Sequence, residues 1–391
     1  MSNPVIISAS RTPMGAFQGA FASLSSPQLG AVAIRSVLDK AGVSDDKIDE
    51  VIMGCVLSAG VGQAPARQAM RLANMPDSVG ATMINKVCGS GLMSVMTACN
   101  AIKAGDKSAI IAGGMDSMTN APYALPKARG GFRMGHGEVL DLMFFDGLQD
   151  AESGKLMGVY AQEMADKKGY TRTQMDEFAI SSLKKAMSAI DNGYFKDEIC
   201  PVTVSARKGD VVMDTDEQPA NANLDKIPTL KPAFAKDGTI TPANASSISD
   251  GASVVLVASD EFAKANNLPV LARIVAHASH AQHPSEFTIA PVGAVQKVLD
   301  KAGWTAKDVD LWEINEAFAM VTLSAIDAFE LDADKVNIHG GACALGHPLG
   351  SSGARILVTL IHALKRVGGK KGVASLCIGG GEAVAMAIEL P

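Results

Sequence analysis

Short apolar runs alternate along this chain with stretches in which apolar residues recur at helical spacing. Residues 81–87 have the pattern of a short buried strand, Gly89-Ser90-Gly91 that of a helix start, and residues 108–112 that of a second apolar strand. Between the strands the apolar residues fall on one helical face: Leu92, Val95, Met96, Cys99 and Ile102. Strands that alternate with helices predict sheets covered by helices, so the pattern favours an α/β fold.

The pattern occurs a second time towards the C terminus. The hexapeptide VLDKAG at 37–42 recurs at 298–303, an offset of 261 (298 − 37), and Ser90-Gly91 returns as Ser352-Gly353, an offset of 262 (352 − 90). In this second copy we predict a helix from 352 to about 366 and a strand over 372–376. Matches that stay in register over such a distance indicate a duplicated folding unit. We therefore expect two homologous halves packed on each other.

A stretch of different character, roughly 118–246, lies between the two copies. It is rich in Asp, Lys and Asn and contains the basic cluster Lys127–Arg133. One helix is predicted there, with Thr173 and Asp176 as its capping box. Its apolar stripe consists of Met175, Phe178, Leu183, Met187 and Ile190. A long insertion without a counterpart in the other copy is more typical of a functional covering domain than of a linker.

Composition and charge restrict the class of protein. The 391 residues are 47% apolar and 19% charged, as in a core-rich globular protein. A net charge of −6 argues against nucleic acid as the main partner. No apolar run is long enough for a membrane helix, and the first residues do not have the pattern of a signal peptide. Six scattered Cys without a CxxC pair favour free thiols, so we expect a cytoplasmic protein without a membrane or nucleic-acid partner.

The first candidate for chemistry is Cys88, at a strand-to-helix turn followed by Gly89-Ser90-Gly91. A helix N-terminus carries partial positive charge and free N–H groups, which favour a thiolate. The turn has the mechanical logic of a nucleophile elbow. A buried structural Cys is the competing interpretation, and on context alone the two remain equally weighted.

Two further Gly-rich turns belong to the second copy. His347 follows Gly346 and lies three residues from position 350, the equivalent of Cys88 (88 + 262). Cys377 precedes Gly379-Gly380-Gly381, whose N–H groups could hold an oxyanion. A Cys paired with a His is an established way to activate a thiol. A loop-fixing His and a packing Cys are the structural alternatives.

Three histidines near the start of the second copy are candidate metal ligands. His277, His280 and His283 are spaced three apart, as ligands on a helix would be. However, residues 271–276 have the pattern of a strand and Pro284 follows, so helical spacing does not apply. We therefore predict no metal site.

Four blocks of the sequence together resemble the signature blocks of the thiolase family: Asn85–Gly91, Asn315–Ala319, Gly346–Pro348 with Gly350–Arg355, and Cys377–Gly381. The resemblance runs from Ile6 to the last strand. It implies duplicated βαβαβ halves that form a layered α/β/α/β/α core, with an inserted loop domain. The implied boundaries are 1–118 for the N-terminal half, completed by about 247–268, then 119–246 for the insertion and 269–391 for the C-terminal half.

The resemblance also implies acyl transfer between thioesters, either joining two acetyl-CoA to acetoacetyl-CoA or thiolysing a 3-ketoacyl-CoA. Cys88 would hold the acyl group, His347 would take its proton, and Cys377 would act as general base. We expect a pKa near neutrality for such a base. Asn315 would position a water that forms one oxyanion site with His347, and the N–H groups of Cys88 and Gly379 would form the other. CoA thioesters are substrates, and no separate cofactor is expected.

The same resemblance places coenzyme A across the insertion. The implied contact residues are Leu148, Met157, Phe234, Ala243, Ser246, Ala317 and Phe318. Two departures from the family pattern stand out: Leu156 takes the place of the usual His before Met157-Gly158, and residues 218–222 carry no basic side chain. The loop 127–133 corresponds to one that builds tetramers in the family, so a homotetramer is expected.

Three alternatives stay open at this level. A longer-chain degradative 3-ketoacyl-CoA thiolase of fatty-acid β-oxidation would carry the same blocks. A synthase-type condensing enzyme shares the Cys nucleophile, but it typically pairs it with two His or with His and Asn, whereas Cys377 stands here. A silent lipid-binding relative should have lost some of Cys88, His347, Asn315 and Cys377.

Overall fold

The computed structural model describes residues 2–207 and 209–391. Its strands are β1 (Pro4–Arg11), β2 (Gly15–Ala16), β3 (Glu50–Gly54), β4 (Gly80–Ile84), β5 (Ala109–Ser117), β6 (Tyr123–Ala124), β7 (Leu140–Asp141), β8 (Val202–Val204), β9 (Val211–Met213), β10 (Ser249–Ser259), β11 (Ala272–Ala281), β12 (Leu311–Ile314), β13 (Lys371–Ile378) and β14 (Glu382–Glu389).

The α-helices are α1 (Ser26–Ala41), α2 (Pro65–Leu72), α3 (Ser90–Ala104), α4 (Met157–Lys168), α5 (Arg172–Asp191), α6 (Gln218–Asn221), α7 (Asp260–Ala265), α8 (Ala290–Ala302), α9 (Ala319–Phe329), α10 (Ala342–Leu345) and α11 (Leu349–Val367). Short 3₁₀ turns and one π-helical turn (Met143–Leu148) connect them. None of the helices in the described part of the chain is long and apolar enough to cross a bilayer.

One large mixed sheet organises the molecule, in the order β12-β13-β14-β11-β1-β10-β5-β3-β4. Strands β4, β3 and β5 run parallel to one another, as do β12 and β13, and the central strands pair antiparallel. The two halves of the sheet meet where β1 pairs with β11, through Val5 opposite Arg273 and Ile6 opposite Ala272.

The order of elements repeats along the chain. The series β1-α1-β3-α2-β4-α3-β5-β10 matches β11-α8-β12-α9-α11-β13-β14, except that the counterpart of β4 is a single parallel bridge between Trp312 and Val336. The repeated VLDKAG hexapeptide closes α1 and α8, and each helix is capped by a left-handed Gly, Gly42 at φ 63° and Gly303 at φ 69°. The duplication predicted from the sequence is therefore confirmed.

The two halves stack in five layers. Helices α1 and α2 cover the outer face of the first half of the sheet, and α8 covers the outer face of the second. Helices α3 and α11 lie between the two half-sheets in a shared core that includes Leu92, Val95, Ile356 and Leu360. Because this central layer is apolar on every side, α11 is buried along nearly its whole length. The predicted layered α/β/α/β/α fold is confirmed.

Three local predictions were wrong. Strand β4 exists, but it is an edge strand with Thr82 and Met83 exposed, since only β3 pairs with it. The capping box of α5 is formed by Thr171 and Gln174, two residues before the predicted pair Thr173 and Asp176. Met187, placed in the apolar stripe of that helix, is exposed.

The connection from β5 to β10 distinguishes the first copy from the second. In the second copy the equivalent strands, β13 and β14, are joined by a tight turn at 379–381, whereas in the first copy the chain leaves the sheet for about 130 residues. This segment carries α4, α5 and α6 and two small hairpins, β6–β7 and β8–β9. It folds back over the carboxyl ends of the parallel strands. The exact limits 1–118, 119–246 and 269–391 stay predictions.

Candidate active site

A cavity of about 280 Å³ opens where the two copies and the long insertion meet. It lies at the carboxyl ends of the parallel strands, the edge at which α/β proteins usually bind ligands. Its walls are largely apolar. Lining residues include Cys88, Met118, Leu148, Leu156, Met157, Phe234, Ser246, Ser247, Phe287, Ala317, Phe318, His347, Cys377 and Gly379. The structure therefore brings together the three predicted catalytic turns, Cys88, His347 and Cys377.

The turn that carries Cys88 is strained and tightly held. Val87 has φ 46°, a left-handed conformation that is costly for a β-branched residue. Ser90 holds this turn from the start of α3: its Oγ accepts from the Lys86 N–H at 2.8 Å and donates to the Val87 carbonyl at 2.6 Å. The turn thus projects the Cys88 side chain from the helix start into the cavity, as a nucleophile elbow would.

The Cys88 thiol is protonated in the resting site. Burial raises the pKa of Cys88 to about 11, although the N–H groups of Gly379 and of Cys88 itself act in the opposite direction. The N–H groups that favour the thiolate belong to Cys88 itself and to the turn after β13, not to the first residues of α3 as the sequence led us to expect, and desolvation outweighs them. A base is therefore needed to remove the proton.

His347 lies in the turn between α10 and α11 and is buried. Its Nδ1 is 2.5 Å from the Ser352 Oγ, while its Nε2 has no hydrogen-bond partner among the described residues. Burial, with a smaller contribution from the charge of Arg355, lowers the pKa of His347 to about 3. The imidazole is therefore neutral and can accept a proton.

Cys377 ends β13 and is fully buried. Burial raises its pKa well above the ordinary thiol value, and a charge on Cys88 raises it further. The expectation of a pKa near neutrality is therefore wrong for the resting site, because no cation in the described part of the chain offsets the desolvation of this thiol. Cys377 is a weak acid here, and its thiolate would be a correspondingly strong base.

Asn315 follows β12 and is fully buried. Neither its side-chain oxygen nor its side-chain nitrogen has a hydrogen-bond partner in the described part of the chain. Buried amides are nearly always satisfied, so this pair of atoms is available to a water or a ligand. Asn315 is not a lining residue of the cavity, although Ala317, two positions further on, is one, and the neighbouring Glu316 is held by Ser182 and Asn337.

Most of the predicted coenzyme-contact residues line the same cavity: Leu148, Met157, Phe234, Ser246, Ala317 and Phe318. Ala243 does not. It lines a second cavity of about 300 Å³, which shares Ser247 with the first and also has Lys226 on its wall. Leu156, noted as a departure from the family pattern, contributes to the first cavity.

Sequence reasoning missed one residue that shapes the site, Asp116 at the end of β5. Its buried carboxylate accepts hydrogen bonds from the N–H groups of Val56, Leu57 and Gly350, which joins the first copy to the start of α11. Burial raises its pKa to about 6. The sequence does contain a sign of this role, because an Asp within an apolar strand of Gly, Ala and Ile will be buried, and a buried Asp requires hydrogen-bond partners.

The three histidines named as candidate metal ligands do not line the cavity. His277 and His280 are on strand β11, and His283 caps the turn that follows it. Across residues 2–207 and 209–391, no three His, Cys, Asp or Glu side chains form a group that could hold a metal ion.

Comparison with known proteins agrees with this architecture. The thiolase N-terminal domain model matches residues 4–261, and the thiolase C-terminal domain model matches 268–390. Acetyl-CoA acetyltransferases from Pseudomonas aeruginosa and Cupriavidus necator are 49% and 50% identical to this chain, each over at least 99% of both proteins. The crystal structure of the Bacillus anthracis acetyl-CoA acetyltransferase superimposes with a TM-score of 0.97 at 40% identity, covering 100% of this chain and 99% of that one. This chain belongs to the thiolase family.

Proposed function

We propose that the protein is an acetyl-CoA acetyltransferase, which condenses two acetyl-CoA to acetoacetyl-CoA and CoA and catalyses the reverse thiolysis. One observation carries the proposal: Cys88, His347, Cys377 and the N–H of Gly379 face a single small apolar cavity. Two thiols and an imidazole in a water-poor site suit covalent acyl transfer followed by proton abstraction.

In the first half-reaction Cys88 takes the acetyl group. Its proton passes to Nε2 of His347, its sulfur attacks the thioester carbonyl, and the bond between that carbon and the CoA sulfur breaks. Cys377 gives its proton to the departing CoA thiolate. An imidazolium at 347 and a thiolate at 377 remain, so the charges balance. The N–H groups of Cys88 and Gly379 are directed at the sulfur region where the carbonyl oxygen would become an oxyanion.

In the second half-reaction the Cys377 thiolate removes an α-proton from the second acetyl-CoA. Two features of the site favour this step. The raised pKa of Cys377 makes its thiolate a strong base, and once Cys88 is acylated no charge can form on its sulfur to oppose ionisation of Cys377. The enolate then attacks the acetyl group, the carbon–sulfur bond to Cys88 breaks, and His347 returns its proton to the Cys88 sulfur.

The enolate oxygen requires its own stabilisation. Nε2 of the His347 imidazolium and a water held by Asn315 would supply it, which is supported by the unpartnered polar atoms of the Asn315 side chain. The removal of one such donor usually costs about 100-fold to 1000-fold in kcat.

Coenzyme A would extend from the first cavity into the second. The two cavities share Ser247 on their walls and are therefore adjacent, which supports a path for the pantetheine arm past Ser246 towards Ala243. Lys226 on the wall of the second cavity would face the phosphates of the nucleotide. This assignment would compensate for the absence of basic residues at 218–222.

The first cavity favours short acyl groups. Its volume of about 280 Å³ must hold both the thioester end of pantetheine and the acyl chain, and Phe234, Phe287 and Phe318 close it. The ratio of kcat/KM for thiolysis of acetoacetyl-CoA to that for 3-ketooctanoyl-CoA should therefore be well above 1. A ratio below 1 would favour the degradative long-chain alternative.

Assembly as a homotetramer is also proposed, from the loop that contains Lys127–Arg133. Several large apolar side chains of this region are exposed, among them Tyr123, Leu125, Met134 and Val139. A cytoplasmic location stays a prediction.

Mass spectrometry after brief exposure to acetyl-CoA tests the covalent step. The wild type and Cys377→Ala should gain one acetyl group on the peptide that contains Cys88, but Cys377→Ala should form no acetoacetyl-CoA. Cys88→Ala should gain none. Cys99→Ala is the matched control, since Cys99 is a buried core thiol outside the cavity, on the helix that follows the Cys88 turn. Acetylation of the Cys88→Ala protein at another thiol would refute the assignment.

A further inference from the structure

The repeated Ser-Gly pair lies close to the candidate active site in each copy, as well as inside the fold. Ser90-Gly91 and Ser352-Gly353 lie in the first turns of α3 and α11, and all four residues are buried. Each Ser is placed next to the turn that carries a reactive side chain, Cys88 in the first copy and His347 in the second. Because the two Ser residues occupy equivalent places, we expect them to have equivalent roles in the two turns.

The glycines bring the two helix starts together. A Cβ on Gly91 would lie 2.8 Å from both the Ala354 nitrogen and the Gly350 carbonyl oxygen, and a Cβ on Gly353 would lie 2.9 Å from the Cβ of Leu92. Such contacts are too close for any side chain, so only Gly allows α3 and α11 to meet here. The approach sets the spacing between the Cys88 turn and the His347 turn.

The serine of the second copy determines where the imidazole carries its proton. The Ser352 Oγ lies 2.8 Å from the Pro348 carbonyl oxygen and 2.5 Å from the Nδ1 of His347. A carbonyl oxygen can only accept, so the single hydroxyl proton is used on Pro348. With the hydroxyl proton on the Pro348 carbonyl, the Ser352 Oγ is left to accept a hydrogen bond, and the Nδ1 of His347 is the group placed to donate it.

We propose that Ser352 is a positioning residue that fixes His347 as the Nδ1–H tautomer and thereby leaves Nε2 as the proton acceptor in the cavity. Nε2 is buried without a partner among the described residues, on a side chain that lines the cavity with Cys88. Ser90 is its counterpart in the first copy, where it uses the same donor-and-acceptor pair to hold the strained Cys88 turn. The catalytic use of the tautomer rests on the function proposed above.

The bond persists through the reaction. When Nε2 takes the Cys88 proton, the imidazolium still donates Nδ1–H to Ser352, so the ring need not turn between the two half-reactions. In the other tautomer Nε2 would already carry a proton, and the thiol would have no acceptor. An orienting partner that selects the tautomer in this way is known to matter for catalytic His residues generally.

The tautomer can be measured without any activity. Protein labelled with ¹⁵N-histidine gives distinct solid-state NMR shifts for protonated and unprotonated ring nitrogens, and a His347→Asn spectrum identifies the His347 signals. We expect a protonated Nδ1 and an unprotonated Nε2 at pH 7.5 in the wild type, and a mixture of tautomers in Ser352→Ala. A proton on Nε2 of the resting wild type, in either the other tautomer or an imidazolium, overturns the proposal.

Kinetics supply the second readout. Loss of one hydrogen bond of this kind should lower the rate constant for acetylation of Cys88 in Ser352→Ala roughly 10-fold, and Ser352→Thr, which retains the hydroxyl, should recover most of it. Ser351→Ala is the matched control. It removes a buried hydroxyl from the same helical turn, but that hydroxyl bonds Ser253 at 2.9 Å. An equal loss in Ser351→Ala and Ser352→Ala would reduce Ser352 to a structural role and contradict the proposal.

The two proposals fail separately. If the wild type acquires no acetyl group on Cys88, the proposed function fails, whereas the NMR result still decides which nitrogen of His347 carries the proton. If the wild type is acetylated but Ser352→Ala retains the wild-type tautomer and rate, only the role of Ser352 fails.

Discussion

Arg11 should be among the most costly single side chains to remove from this protein. It lies on β1 and is fully buried. Its Nε donates to Glu198 at 2.6 Å, and its two terminal nitrogens donate to Asp216 at 2.7 and 2.9 Å. Burial alone would lower the pKa of Arg11, but the charges of Asp216 and Glu198 more than offset it and raise that pKa. The cluster connects the first strand to the long insertion.

The expected loss of unfolding free energy comes from the two carboxylates that would remain buried after Arg11 is removed. Arg11→Met would retain much of the packing volume but leave two carboxylates buried without their cation. Breaking a buried pair in this way costs about 3–5 kcal/mol of unfolding free energy. Arg35 offers a matched control, because it also contacts two carboxylates, Asp39 and Asp45, but on the surface. Arg35→Met should cost about 1 kcal/mol or less.

Urea unfolding, followed by tryptophan fluorescence at equal protein concentration, measures both variants. The triple variant Arg11→Met, Glu198→Gln, Asp216→Asn should recover part of the loss, since no unpaired charge remains. KM for acetyl-CoA should rise in Arg11→Met, because the insertion carries the residues that we predict to contact coenzyme A. If Arg11→Met and Arg35→Met lower the unfolding free energy equally, the cluster does not hold the insertion and the reasoning fails.

Three further predictions concern the site itself. Gly353→Ala forces a Cβ against Leu92, so specific activity should fall at least 10-fold, while Gly368→Ala, at an uncrowded helix end, should change stability but not turnover. Lys226→Ala should raise KM for acetyl-CoA but leave KM for acetyl-pantetheine unchanged, because only the former has the nucleotide phosphates. Since burial raises the pKa of Cys88 to about 11, its thiolate fraction in the free enzyme should increase about tenfold per pH unit from pH 7 to 10. Alkylation by iodoacetamide measures this, and a plateau below pH 8 would contradict a neutral thiol–imidazole pair.

The local features of the sequence predicted the frame well, because they depend on short-range physics. A Gly at the end of an apolar helical face specifies a left-handed cap, and Gly42, Gly105 and Gly303 all adopt it. The repeat predicted that the two halves have equivalent folds, since both copies must bury the same faces of their helices and strands. The Gly-rich turns predicted that Cys88, His347 and Cys377 lie at helix starts and strand ends.

The failures concern properties that depend on distant partners. Whether β4 lies in the centre or at the edge of the sheet is decided by which strands pair beside it, and the apolar run 81–87 carries no such information. A second possible capping box, Thr171 with Gln174, lies two residues before the predicted one at 173–176. The structure uses Thr171, which follows closely on the end of α4 at Lys168 and its cap Gly169. The pKa of Cys377 depends on how completely distant segments cover it, among them Tyr160 and Met164 of the insertion, and that could not be predicted from its neighbours in sequence.

The asymmetry of the site is imposed by packing in the first copy. Asn315 follows β12, and its equivalent by the repeat is Gly54 (315 − 261), at the end of β3. A Cβ at Gly54 would lie 2.6 Å from the Ser90 carbonyl carbon, so the start of α3 leaves no room for an amide there. In the second copy the corresponding space is open enough for an Asn whose polar atoms have no partner among the described residues. The first copy therefore has no room for a side chain at this position, and the polar group that would hold the enolate in the proposed mechanism comes from the second copy.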